Sequence, residues 1–254
     1  MTERWRTYSR VVRRLVRDRR TDDRIASVLT LSGARRPPDG ERVHDDIVIM
    51  IKTERGLEGA VLHPSGLGSG PSLLGRRLKS VWRSSAPSHL SALALDAMAS
   101  ARSGEVSPLF SERLPRSYRK AEKLRARVIA DTVEDRFGES ALLIGYSSAI
   151  HRELKRRGLL RGVVDADPRV SVPRRAELGE FPIVATGMVL ANGSFKRIVA
   201  RHRGPIMLYS QTCPNLTPLL ARAGVVDVAI VESFPFHFCP GETRLRVFTA
   251  DQGG

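Results

Sequence analysis

Cysteine, lysine and aromatic residues are all scarce in this chain. Its 254 residues include two cysteines, Cys213 and Cys239. Two are too few to staple a secreted fold, and the count fits a reducing compartment. No apolar run approaches the roughly 20 residues that span a bilayer. No apolar segment of signal-peptide type follows the basic start Met1-Thr2-Glu3-Arg4-Trp5-Arg6. The expected compartment is the cytoplasm, with no membrane partner. Phe, Trp and Tyr make up only 6% of residues, and the arginines are scattered rather than gathered with them. Zinc-finger spacing, an RNP signature and a KH-type loop are all missing. The glycine-rich stretch 63–71 lacks the Gly-Lys-Ser/Thr ending of a phosphate loop, and reads as a surface loop beside a site.

Arginine is what the chain has in quantity. Lysine supplies six of the 42 basic residues and arginine the other 36, for a net charge of +15. Such a balance favours weak adhesion to polyanions at low salt. The arginines are scattered, however, so specific nucleic-acid binding is not expected. Residues 2–20 read as an amphipathic helix. Trp5, Tyr8, Val11, Val12, Leu15 and Val16 make its apolar stripe, and arginines cover its other face. That stripe is expected to pack on its own domain.

Two unlike halves follow. Strands at 25–31, 43–53 and 57–62, then helices at 73–83 and 89–101, read as a small α+β domain over 1–104. Residues 104–116, with Pro108 and Pro115, read as a linker, so that 105–137 form a linker and a connecting helix (117–137). From 138 to 254 the pattern changes. Short apolar runs at 141–144, 162–164, 181–185, 205–208 and 226–231 suit strands buried on both faces of a parallel sheet. A doubly wound, Rossmann-like sheet with a C-terminal hairpin is expected.

In such sheets ligands bind outside the carboxyl ends of the strands. Those ends carry Tyr146, Ser147 and Ser148, then Asp165, Thr186, Asn192, Gln211 and Glu232, the expected ligand-binding set. Asp165 stands 20 residues after Gly145, where a ribose-binding carboxylate would be, but two glycines of a dinucleotide fingerprint are missing. His237 and Cys239, two apart on an extended segment, would share one face. With Cys213 they make a thiolate–imidazole–thiolate set suited to zinc, copper or iron. A buried structural role for the cysteines stays open, as does a Cys213 nucleophile with His237 as base. No residue is assigned a catalytic role.

Several segments carry a family resemblance. They are Leu74-Gly75, Ser84-Ser85-Ala86-Pro87, Leu93 to Met98, Ile144-Gly145-Tyr146, Thr186-Gly187, Asn192-Gly193-Ser194 and Ser210-Gln211-Thr212-Cys213-Pro214. In order along the chain, they resemble the bacterial and archaeal heavy-metal chelation family. The resemblance implies an enolase-N-terminal-like α+β domain followed by a Rossmann-like one. Where that family has a Gly-Pro-Ser-Thr-like turn, this chain has Gln211-Thr212-Cys213-Pro214. The expected function is binding of a metal ion or a small metal-chelating molecule in a cleft between domains. An enzyme using S-adenosylmethionine or a nicotinamide cofactor is the alternative. The expected partners are that ligand and a second copy of the chain.

Overall fold

The computed structural model describes residues 2–35, 44–64, 73–84, 88–165, 178–233 and 242–250. Helix α1 (Glu3–Arg17) opens on Thr2, whose side chain accepts the Trp5 N–H at 3.2 Å. The Thr2 hydroxyl also donates to the Val199 carbonyl, which ties the helix start to the C-terminal half. Tyr8, Leu15 and Val16 are buried, as the stripe predicts, while Arg6, Arg10, Arg13, Arg14 and Arg17 remain exposed. Strands β1 (Ile25–Arg35), β2 (His44–Thr53) and β3 (Glu58–Pro64) form an antiparallel sheet in sequential order.

Helix α2 is shorter than the apolar pattern suggests and covers only Leu78–Arg83. The residues before it are drawn off into extended pairing. Ile25 N–H donates to the Arg76 carbonyl, and Gly75 N–H donates to that of Ile25. Helix α3 (Ser88–Ser100) is buried on almost every side. Strand β3 lies so close to it that a Cβ on Gly59 would sit 2.7 Å from the Leu93 carbonyl oxygen. Only glycine fits there.

Residues 104–116, expected to be a linker, contain strand β4 (Phe110–Arg113). It pairs antiparallel with β10 (Arg244–Thr249) at the edge of a seven-stranded sheet. A short polar strand flanked by prolines suits an edge, where unpaired N–H groups are not required. Helix α4 (Tyr118–Phe137) ends at Gly138, as expected. Strands β5 (Ala141–Ile144), β6 (Leu160–Val164), β7 (Ile183–Thr186), β8 (Ile206–Ser210) and β9 (Val228–Glu232) then pair in parallel. The full order is β4-β10-β9-β8-β7-β5-β6. Counted within the parallel set, this is 2-1-3-4-5, a doubly wound order. The protein is thus a mixed α/β fold built on a largely parallel seven-stranded sheet.

Strands β5, β7, β8 and β9 are buried along their whole length. Alternate side chains serve two cores, as the pleat demands. Ala141 and Leu143 join α4 and α5 (Ser148–Arg156) on one face. On the other, Leu142 and Ile144 join α1, α3, α6 (Met188–Ala191), α7 (Phe195–Arg201) and α8 (Leu216–Arg222). Ile51 and Val61 of the three-stranded sheet belong to this second core. The hydrophobic clusters therefore divide by face of the large sheet, and residues on both sides of position 104 share one of them.

Candidate functional site

Helix α5 covers one face of the sheet, and α6 to α8 the other. The winding reverses between β5 and β7, so their carboxyl ends border the crevice where doubly wound folds receive ligands. Gly145 ends β5 with φ of +86°, and its N–H donates to the Val164 carbonyl at 2.8 Å. A side chain here would be strained by the backbone and would also overlap Thr186 Oγ1. Thr186 is 8% exposed, and that hydroxyl oxygen is enclosed without a hydrogen-bond partner among the described residues. Buried hydroxyls are nearly always bonded, so this one marks the crevice as chemically incomplete.

The other expected ligand-binding residues take assorted roles around it. Tyr146 donates its N–H to Asp165 Oδ2 at 2.6 Å, so Asp165 binds the first turn, and its ring lies 5.7 Å from that of His151. Ser147 precedes α5 without a side-chain capping bond. The first N–H groups of α5, including that of Ser148, thus get no cap from it. Asn192 Oδ1 accepts from the Ser194 N–H at 2.9 Å and the Ser194 hydroxyl at 2.7 Å, which shapes the corner between α6 and α7.

Gln211 and Glu232 belong to a second group, two strands away. Glu232 is 1% exposed and receives three donors. Arg125 from α4 forks onto both of its oxygens, the Nη2–Oε2 bond measuring 3.1 Å. The Tyr209 hydroxyl donates at 2.6 Å and Gln211 Nε2 at 3.0 Å. Burial pulls the Arg125 guanidinium toward neutrality. The charges of Glu232 and Tyr209 and the bond to Glu232 more than offset it, so its pKa is raised. Neither Arg125 nor Tyr209 was an expected site residue. The readable sign was an arginine set four residues from both Ala121 and Ile129 on the inward stripe of α4.

Beyond Gln211, the turn after β8 leaves both groups. It is stitched to the N-terminal half. Cys213 N–H donates to the Ala60 carbonyl at 2.9 Å, and Leu62 N–H to Thr212 Oγ1 at 3.1 Å. Asp96 of α3 reaches across and accepts the N–H groups of Asn215, Leu216 and Ala60 at 2.8, 2.9 and 2.9 Å. It thereby caps α8 from another part of the chain. Burial raises the Asp96 carboxyl to about 7, against the pull of these donors. A lone acid in the apolar run 90–99 was the sequence sign of this clamp.

Cys213 itself is fully enclosed, at φ of +55°, with its sulfur 3.7 Å from the Ala92 carbonyl. Burial pushes its thiol pKa well up, which disfavours the thiolate that a metal or a nucleophilic step requires. The expected partners His237 and Cys239 lie outside the described residues. Among the described residues no group of three or more His, Cys, Asp or Glu side chains is placed to hold a metal ion. No helix among them is long and apolar enough to cross a membrane.

No protein-family model matches the chain, nor does any curated protein. Solved structures do resemble it. A protein of unknown function from the DUF364 family of Desulfitobacterium hafniense aligns over 88% of this chain and 84% of its own, with a TM-score of 0.51 and 12% identity. A mandelate racemase/muconate lactonizing enzyme from Aspergillus oryzae aligns over 77% and 84% at 12% identity, with a TM-score of 0.34, too low to carry an argument. The likeness to the DUF364 protein extends to the fold alone.

Proposed function

We propose that the protein binds a small organic anion, of the kind that chelates metals, in the crevice between the carboxyl ends of β5 and β7. The observation that carries this reading is Thr186, whose enclosed hydroxyl has no partner among the described residues and lies beside a glycine where a side chain would overlap it. A carboxylate accepts such a hydroxyl and also suits the N-terminus of α5, where the helix dipole favours negative charge. The same reading takes the three-stranded sheet with α2 and α3 as the enolase-N-terminal-like part of a chelation-family arrangement. The ligand, rather than a protein cluster around Cys213, would then be what meets the metal.

Thermal shift with citrate, oxalate and a hydroxamate chelator, each with and without ferric or zinc ion, tests this. At one hundred times Kd a ligand adds about 2.7 kcal/mol of stability. The expected result is a rise in Tm for at least one acid that Thr186→Val abolishes. A rise of equal size in wild type and Thr186→Val, or no rise with any acid, would remove the crevice as the site.

A further inference from the structure

A second concavity lies on the N-terminal half, where the chain leaves a 3-10 turn (Arg19–Thr21) and faces α2. It is an open concavity of about 570 Å³, lined by Asp22, Arg77, Lys79, Ser80, Arg83 and Ser84. None of these residues belongs to the large sheet or to the crevice above. Three cations face one carboxylate, and that carboxylate holds two of them in place. Arg77 Nη1 lies 3.2 Å, and Lys79 Nζ 4.0 Å, from Asp22 Oδ2. Lys79 is only 18% exposed, so its ammonium is confined to the cleft wall. Arg83 is exposed and has no partner among the described residues. Asp22 Oδ1 is enclosed and has no donor among them either.

Each feature restricts the ligand. A surplus of cations, two of them tied to Asp22, selects an anion, and the fork of arginine suits phosphate. The volume is that of a metabolite pocket and exceeds the need of a free phosphate ion. No aliphatic or aromatic side chain lines it, so neither a base nor an acyl chain would find a surface. The Ser80 side chain and an acceptor lacking a donor among the described residues call for hydroxyl groups instead, the Ser84 hydroxyl being bonded to the Val81 carbonyl at 2.8 Å. We propose that this cleft is a separate binding site for a phosphorylated polyol, such as a sugar phosphate. Arg77, Lys79 and Arg83 take the phosphate, while Asp22 and Ser80 take hydroxyls.

Calorimetric titration of the full chain with ribose 5-phosphate, ribose and inorganic phosphate tests the proposal. Ribose 5-phosphate should bind, inorganic phosphate more weakly, and ribose not at all. Charge-assisted bonds of ordinary strength imply a loss of about tenfold for each cation removed, hence about a hundredfold in Lys79→Gln/Arg83→Gln. Arg6→Gln/Arg10→Gln removes the same charge from the exposed face of α1 and should leave affinity within about twofold, since neither residue lines the cleft and exposed charges are screened by salt. Thr186→Val should bind ribose 5-phosphate like wild type, which separates this cleft from the crevice. Equal losses in the two arginine-containing double variants would attribute binding to the net charge of +15 and overturn the site. So would the absence of ribose 5-phosphate binding, or inorganic phosphate binding just as tightly. Arg83→Gln alone removes an exposed side chain with no partner among the described residues, so its tenfold loss can be read even if the double variant folds poorly.

Discussion

Two buried carboxylates, Asp96 and Glu232, solve the same problem in opposite ways. Glu232 at the end of β9 keeps a full countercharge, the Arg125 fork, and adds the Tyr209 and Gln211 donors. Asp96 in α3 meets no cation among the described residues. It relies on backbone N–H groups from β3 and the start of α8, together with the Asn215 side-chain amide at 3.3 Å. An ion pair in the interior tolerates pH change but not the loss of a partner. A carboxyl surrounded only by dipoles can instead take up a proton. Glu232 is thus bound to one helix on one face of the sheet, while Asp96 joins the two halves of the chain on the other.

The largest effect expected from breaking this contrast is at Arg125. Arg125→Leu strands the Glu232 charge and should cost about 3–5 kcal/mol in urea unfolding. Arg125→Leu/Glu232→Leu should recover most of that loss. A double variant as unstable as the single one would show that the pair matters for packing and not for charge. Next comes Asp96→Ala, which orphans three buried N–H groups and should cost about 2–4 kcal/mol, read from the same transition. The conformational penalty at Gly145 is smaller. Gly145→Ala meets both the φ of +86° and the Thr186 hydroxyl, and should cost about 1–3 kcal/mol.

The pH dependence sharpens the contrast further. The folded Asp96 carboxyl titrates near 7 and an unfolded one near about 3.9. Between those values the folded state holds a proton that the unfolded state has released. The Asp96 contribution is therefore complete below about pH 4, falls by about 1.4 kcal/mol per unit as pH rises, and is lost above about 7. Urea midpoints at pH 5 and 7.5 should show this slope in wild type and a flatter one in Asp96→Asn. An unchanged slope in that variant would assign the titration to another group. The smallest effect is that of Thr186→Val without ligand, expected within about 1 kcal/mol of wild type because no bond is lost.

Much of the fold is legible along the chain. The runs at 141–144 and 226–231 declare buried parallel strands because both faces of each strand are covered. The stripe of α1 declares its inner face for the same reason. What misleads is local composition near proline and glycine. Residues 104–116 look like a linker, yet Phe110–Arg113 form an edge strand, since the pairing partner β10 lies more than 130 residues further on. The apolar start at Leu73 looks helical, yet Arg76 and Gly75 are claimed by Ile25.

The candidate site divides in the same way. Residue identities at the strand ends are visible in one dimension, and so is their shared edge, because a parallel sheet places its turns together. Which of those residues are already spent is not visible. Asp165 is engaged by Tyr146, Gln211 by Glu232, and Cys213 is enclosed under α3, while Thr186 keeps a buried hydroxyl with no partner among the described residues. The periodicity of side chains along the sequence determined the elements, the two faces of the large sheet and the carboxyl edge as the place to look. Only the tertiary structure decided that Arg125 meets Glu232, 107 positions away, and that Asp96 caps α8, because the local pattern marks a charge as inward but its partner depends on where helices cross the sheet.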